Sequence, residues 1–587
     1  MAEELGRDAR TFLGELADFI DAEQEAGFER LREIWNRPLQ EKLEKGWTQA
    51  FSELRPGESS NTLWAILSPE ANESRFREGD LLRLHGGDPL ESLLGRLSLD
   101  LEDGDRWLLR GNMGKDIRPL LDSGVCYADP DAMDLTEYYR KSLEEIASSR
   151  IGKELVIPLL MGTLPLTVDP RAQQDAECAA ARKGLNRRQA EAVGLGVGAE
   201  QVACIQGPPG TGKTRVLALV AKLLVERGER ILVTSHTHTA INNALNKIHE
   251  EGVTAVKIGN ETQIKGLDPE IGCYPEIEGW LERPKGAQGY VVGATPFATC
   301  TSRLETIFFD TILFDEASQI TKPLALMAMR KGQRFVFIGD QKQLPPVVLA
   351  KSILDESSPS VFASLTSSRA EHCVMLEETY RMNRSLTEWP SRNFYEGKLM
   401  ASGSNRDRVL TLSEGAGEPR FAPIFDPEAS MIFVPTTDMA AKTRNRIDAQ
   451  LTVDLCEAAV AGGLPLSQIG IVSPYRAQGR LIRNLIEARF GKKAAREVVA
   501  DTVERMQGQE REMIILSLAT GDNVFLGLIA DFFFQPERLN VSVTRSKVKL
   551  VVIGPDVRWL PSCDEEPTRE RIERYRDLIG HCKRVVI

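Results

Sequence analysis

An apolar run, VACI, leads into QGPPGTGKTR at residues 206–215, and a second apolar run, VLALVAKLL, follows it. The stretch fits the pattern G-x-x-x-x-G-K-[ST] at Gly207, Gly212, Lys213 and Thr214. That pattern is specific when a strand precedes it and a helix follows, and these flanks read as both. Glycines let backbone N–H groups turn inward around a phosphate, and Pro208, Pro209, Gly210, Thr211 and Arg215 complete the loop. The helix N-terminus adds a positive dipole end, Lys213 reaches the terminal phosphates and Thr214 ligates magnesium. A chain with such a loop is committed to a parallel α/β domain there. The reaction stays open at this point, because kinases, GTPases, transporters and motors share the loop.

With 587 residues the chain is expected to hold several domains. No run of eighteen apolar residues occurs, so no membrane segment is expected. MAEELGRDAR lacks the apolar stretch of a signal peptide, which makes a cytoplasmic protein the expectation. The nine cysteines are scattered without a C-x-x-C pair, which argues against a zinc or iron–sulfur module and suits reduced thiols. The net charge of −12 argues against an overall basic coat for nucleic acid. A local basic groove remains compatible with it, since binding depends on the field where the strand lies.

Five segments are expected. In 1–45, Phe12, Leu16, Phe19 and Ile20, then Phe28, Leu31 and Trp35, recur at helical spacing until Pro38. In 46–128 short, partly alternating apolar runs broken by Gly, Asp and Pro read as a small β-barrel. Helix returns in 129–184, where Leu135, Tyr139, Leu143 and Ile146 share a face. Segments 185–350 and 351–587 alternate strand-like and helical runs, which predicts an α/β fold class with two doubly wound parallel-sheet domains. Residues 401–430 read as a long surface excursion of the second.

About a hundred residues after the phosphate loop comes TILFDEASQ. A strand ending in paired carboxylates puts Asp315 where it can hold a magnesium water shell and Glu316 where it can polarise an attacking water. FVFIGDQKQLPP is a further strand running into a polar turn, in which Gln343 is a candidate γ-phosphate sensor.

LNRRQ, GPPGTGKT, TSHTHTAINNAL, VVGATP, DEASQ, GDQKQLPP, TYRMN, IVSPYRAQ, TVERMQGQERE and RLNVSVTRSK stand in this order between residues 185 and 557. In that order the chain resembles superfamily 1 helicases, in particular the branch of the nonsense-mediated-decay helicase and the immunoglobulin mu-binding-protein helicase. RFREGDLLRL in the barrel segment is similar to a stretch in the same branch, where a small β-barrel on two stalk helices precedes two RecA-like motor domains.

The resemblance implies an ATP- and Mg2+-dependent translocase on single-stranded DNA or RNA, moving 5′ to 3′. Gln189 would read adenine, Tyr380 would stack on the base, Glu510 would sit near the sugar, and Arg381 and Arg545 would be arginine fingers. An arginine that reaches the γ-phosphate only when two domains close couples hydrolysis to movement. Ser235, Thr237, Asn242, Thr295, Pro296, Pro474, Tyr475 and Arg476 match blocks that touch the strand backbone. Hydroxyls, amides and loop N–H groups suit sliding without base readout.

Glu504 stands where relatives usually carry aspartate. No cysteine/histidine-rich regulatory domain or nuclease motif is evident, so a nearly bare, monomeric motor is expected. The alternative is a nucleotide-gated clamp or signalling ATPase within a larger complex. Residue types that track a backbone suit DNA and RNA equally.

Overall fold

The computed structural model describes residues 6–68, 76, 78–103, 105–111, 115–350, 360–413, 419–495, 497–506, 508–557 and 566–587. Part of the RFREGDLLRL stretch, Gln507 of the TVERMQGQERE block and Cys563 lie outside them.

The first helix runs Arg7–Trp35 and a short one, Leu39–Glu44, follows Pro38. Six antiparallel strands then close a barrel in the order Gln49–Pro56, Thr62–Leu67, Arg106–Gly111, Leu93–Asp103, Leu81–His85 and Cys126–Pro130. Closure removes the open edges that a six-strand sheet would otherwise present. Its core gathers Leu82, Leu84, Leu97, Leu99 and Leu109 around Trp107, onto which Phe51 and Phe76 pack edge-on at 5.5 and 5.9 Å. The chain leaves through the helix Thr136–Ser148. That helix packs along the first one, where Arg140 pairs with Asp21, and both bury apolar faces on the next domain through Leu16, Ile20, Leu143 and Ile146. The barrel therefore stands on two stalk helices rooted in the first parallel-sheet domain.

The second unit is an eight-stranded sheet, parallel throughout. Its order is Cys273–Tyr274, Ala255–Ile258, Tyr290–Gly293, Arg230–Thr234, Thr311–Phe314, Arg334–Gly339, Val202–Gln206 and Cys373–Met375. Strand residues alternate between two cores: Leu232, Ile312, Phe314 and Phe337 face one layer, Ile231, Leu313, Val336 and Ile338 the other. Burial on both faces explains why these strands read as continuous apolar runs. The strand Cys373–Met375 joins this sheet beside Val202–Gln206, so the first sheet extends past residue 350, where the boundary was expected.

The third unit is a six-stranded parallel sheet in the order Val499–Asp501, Ile469–Val472, Arg511–Ser517, Ser546–Gly554, Met431–Pro435 and Lys583–Arg584. It too is covered on both faces, by one core around Trp389, Phe433 and Leu516 and another around Ile432, Ile471 and Ile515. The chain is thus a mixed α/β protein with two parallel-sheet domains and a closed barrel. Among the described residues no helix is long and apolar enough to cross a membrane.

Candidate nucleotide site

In open parallel sheets, ligands bind beyond the carboxyl ends of the strands. On the first sheet that rim carries the phosphate loop and the DEAS and GDQKQ blocks singled out in the sequence. Val202–Gln206 runs into the phosphate loop and then the helix Lys213–Glu226. The neighbouring Arg334–Gly339 ends at Asp340, and Thr311–Phe314 ends at Asp315 and Glu316. A cavity of about 890 Å³ opens between them, lined among others by Lys213, Thr214, Asp315, Glu316 and Arg381.

The loop fits a phosphate cradle. A Cβ at Gly207 would lie 2.0 Å from Lys213 Cγ, and Gly210, at φ +74°, would bring one to 2.4 Å from Arg381 Cβ. Only glycine permits this approach of backbone to side chain. Lys213 Nζ donates to the Gly207 carbonyl at 2.7 Å, and Arg215 donates to the Lys183 carbonyl at 2.8 Å. Burial, with the like charge of Glu316, pushes the Asp315 carboxyl up to about 7, against the pull of Lys213. A buried carboxylate beside a threonine hydroxyl is the hard oxygen donor set that suits magnesium. Glu316 sits in left-handed backbone at φ +50°, a conformation that costs a non-glycine residue energy and that clusters at functional sites.

Gln189 lies against the loop, but its amide is committed to backbone. It forms a capping box with Asn186 and donates from Nε2 to the Thr211 carbonyl at 2.9 Å. The TYRMN block docks on the same loop: Thr379 Oγ1 donates to the Pro209 carbonyl at 2.8 Å, and Tyr380 N donates to Gly210 O at 2.9 Å. The half-exposed Tyr380 ring has its hydroxyl held by Asn186 Nδ2 at 2.9 Å.

Arg381 lines the cavity from the second domain's side, whereas Arg545 is buried and is not part of the lining. Arg381 donates to Glu510 at 2.6 Å and to the Thr544 carbonyl at 3.1 Å. The Arg381 and Lys547 cations outweigh the burial that would raise Glu510, and hold its carboxyl below the ordinary range. Arg545 is 2% exposed and donates to Gln343 Oε1 at 3.4 Å and to the Val541 carbonyl at 3.0 Å. Burial, with the like charge of Arg381, pulls it down to about 9. Glu504 ion-pairs with Arg538 at 2.7 Å on the cavity wall.

Beside Gln343 lies a cluster that sequence reasoning missed. Asp340 Oδ2 accepts from Gln343 Nε2 and from the Tyr395 hydroxyl, both at 2.8 Å, and Asn540 Nδ2 donates to Tyr395 OH, also at 2.8 Å. Asn540 also donates to the Lys342 carbonyl at 2.7 Å, so the cluster ties the GDQKQ turn to the RLNVS block. The GD pair before Gln343 was the available signal for Asp340.

The strand-side candidates divide. Thr237 and Arg476 are exposed, and Thr295 and Tyr475 are half-buried, all on the carboxyl rims of their sheets after Arg230–Thr234, Ile469–Val472 and Tyr290–Gly293. Pro474 is half-buried beside Tyr475, whereas Ser235 and Pro296 are buried. Thr237 also caps the helix His238–Glu250 by accepting from Ala240 N. Asn242 does not fit the expected strand contact. It is 1% exposed, with its amide donating to the Gln263 and Lys265 carbonyls and accepting from Lys257 Nζ. Its role here is to hold the loop after Ala255–Ile258.

Two family models, each described as an AAA domain, match residues 184–409 and 357–556. The chain is 30% identical over 401 residues to the DNA replication ATP-dependent helicase/nuclease dna2 of Schizosaccharomyces pombe, covering 63% of this chain and 28% of that protein. It is 28% identical over 469 residues to the DNA replication ATP-dependent helicase/nuclease DNA2 of Homo sapiens, covering 74% and 42%. The chain thus spans less than half the length of these curated relatives. These relatives are named as helicase/nucleases, not as members of the nonsense-mediated-decay group whose motifs the sequence resembles. Among solved structures, the crystal structure of Arterivirus nonstructural protein 10 (helicase) aligns at TM-score 0.37 and 13% identity over 86% of this chain and 78% of that one.

Proposed function

We propose that this chain is a strand-stimulated ATPase that uses ATP and magnesium to move 5′ to 3′ along single-stranded nucleic acid as a monomer. The observation that carries this reading is the cleft itself. Arg381 lines from the second domain the same cavity that Lys213, Asp315 and Glu316 line from the first, and the buried Arg545 of the second domain bonds Gln343 of the first. Lys213 and the loop N–H groups would bind the terminal phosphates, and Glu316 would accept the proton of the attacking water. The two arginines would stabilise charge as it develops on the transferred phosphoryl group. Magnesium, held by Thr214 and Asp315, would neutralise phosphate charge when bound.

The placement of the candidate strand residues supports movement. The nucleotide residues and the strand candidates occupy adjacent parts of one rim, and Tyr475 and Arg476 occupy the rim of the other sheet. Closure of the cleft on ATP would therefore change the spacing of two strand grips. Polarity rests on the resemblance, supported by the barrel on two stalk helices ahead of the motor domains, as in the 5′-to-3′ branch. The replication role in the relatives' names makes DNA the first strand to test.

Hydrolysis is measured with matched DNA and RNA oligonucleotides, then unwinding with duplexes bearing only a 5′ or only a 3′ overhang. Stimulated hydrolysis, lost in Glu316→Gln, and unwinding from the 5′ overhang are expected. Unwinding from the 3′ overhang alone would overturn the polarity. Nucleotide-dependent binding without turnover or movement would replace the motor with a nucleotide-gated clamp.

A further inference from the structure

The loop 436–446, after the strand Met431–Pro435, carries no residue matched to a strand-contacting block, yet it is built into the one that does. Gln478 of SPYRAQ is fully buried and grips both backbone groups of Asn445. Its Oε1 accepts from Asn445 N at 2.8 Å, and its Nε2 donates to Asn445 O at 3.1 Å and to Ser517 Oγ at 3.1 Å. Asn445, also fully buried, donates from Nδ2 to Thr436 Oγ1 at 2.9 Å and to the Ala519 carbonyl at 3.1 Å. A third tie is Thr520, whose hydroxyl donates to the Lys442 carbonyl at 2.6 Å and lies 3.0 Å from the Tyr475 hydroxyl. Ala519 pays a conformational cost for this junction, standing at φ +64° without being glycine.

Side-chain amides that satisfy backbone groups in a buried network fix a loop rigidly. Tyr475, Arg476 and the loop 436–446 thus form one surface on the carboxyl rim. Its exposed residues Thr437, Met439, Ala440 and Thr443 are accompanied by the cations Lys442, Arg444 and Arg446. Lys442 and Arg444 are exposed, and Lys442 Nζ lies 5.9 Å from the Phe525 ring centre and 4.0 Å from Asp522 Oδ2. A cation beside an aromatic, adjoining a tyrosine and an arginine, matches the composition of a track for single strands.

We propose that Lys442 and Arg444 form a second phosphate grip for the single strand on this domain, and that Gln478 is the positioning residue that holds this grip beside Tyr475. The inference rests on reading the chain as a strand-binding motor. Each phosphate neutralised on a single strand contributes about −0.7 to the slope of log affinity against log salt. Two contacts therefore predict that Lys442→Ala/Arg444→Ala flattens the slope by about 1.4. Gln478→Ala would flatten it likewise, and the triple variant would lose nothing beyond the double, because the mutations act on one interaction.

The test is fluorescence anisotropy of labelled oligo(dT) and oligo(U) against the full chain and these variants across a salt series. A flatter slope in the double variant, not deepened in the triple, is the expected result. Tight, salt-dependent wild-type binding with an unchanged slope in the soluble double variant overturns the grip and leaves the motor reading standing. Additive losses in the triple variant overturn the positioning role of Gln478. Absence of wild-type binding to either oligonucleotide overturns the grip together with the reading beneath it.

Discussion

Arg381 Nε donates to Glu510 Oε2 at 2.6 Å, so the arginine that faces the phosphate loop is held by a carboxylate of the second domain. The pair links that domain to the nucleotide cavity. Arg381→Ala is expected to cut strand-stimulated hydrolysis by about 10³ or more, the scale of a finger arginine, with a small change in nucleotide affinity. Glu510→Gln keeps a hydrogen-bond acceptor but loses the charge, so a smaller fall is expected. Steady-state kinetics at saturating strand separates the two effects, and a normal rate in Arg381→Ala removes the finger assignment.

The phosphate loop and the TYRMN block touch closely enough for one methyl group to matter. A Cβ on Gly210 would lie 2.4 Å from Arg381 Cβ and 2.7 Å from Thr379 Oγ1, on backbone at φ +74°. Gly210→Ala is therefore expected to push the two domains apart. It adds a left-handed backbone penalty of about 1–2 kcal/mol. Hydrolysis should fall steeply while the domain cores keep their cooperative unfolding, which calorimetry alongside turnover would check.

The buried hydroxyl of Tyr395 bridges Asp340 and Asn540. Tyr395→Phe removes a donor from a buried carboxylate and an acceptor from Asn540, at an expected cost of about 1–3 kcal/mol. Asp340 also anchors Gln343, so the turnover number should fall with the stability. Unfolding free energy and turnover measured on the same preparation test this; a stable, fully active Tyr395→Phe would show that the cluster does not position the sensor.

The cleft was legible in the sequence because its chemistry sits at strand ends, where glycine, lysine and carboxylates interrupt apolar runs. Lys213, Asp315 and Glu316, singled out from their strand-end pattern, and Arg381, singled out from the resemblance, line one cavity. Tyr395 and Asn540 were not legible, since they meet Asp340 across 55 and, through Tyr395, a further 145 residues of chain. Asn242 misled for the converse reason: a block match gives residue type and order, while the contacts with Lys257, Gln263 and Lys265 that bury it come from a loop with no local signature. The sheet boundary misled similarly. Cys373–Met375 is a three-residue strand, too short to show periodicity, and its pairing with Val202–Gln206 is decided by packing.

Asp448 offers a test of stability against pH away from the nucleotide. It is 2% exposed, with one oxygen accepting from Thr436 Oγ1 at 3.0 Å and the other without a hydrogen-bond partner among the described residues. Burial, reinforced by Asp438, pushes its carboxyl from 3.8 to about 7 against the Thr436 hydrogen bond. The folded chain then binds the proton more tightly than the unfolded chain between those two values. Stability from this group is present below about pH 4 and is lost as pH rises towards 7. One pKa unit corresponds to about 1.4 kcal/mol, so the loss amounts to at most about 4 kcal/mol. Asp448→Asn removes the titration while keeping a polar side chain of the same shape. The variant should be more stable than the parent at pH 8, with the advantage shrinking towards pH 5, in urea unfolding at both values. An advantage that does not change with pH would mean that Asp448 stays ionised in the folded chain.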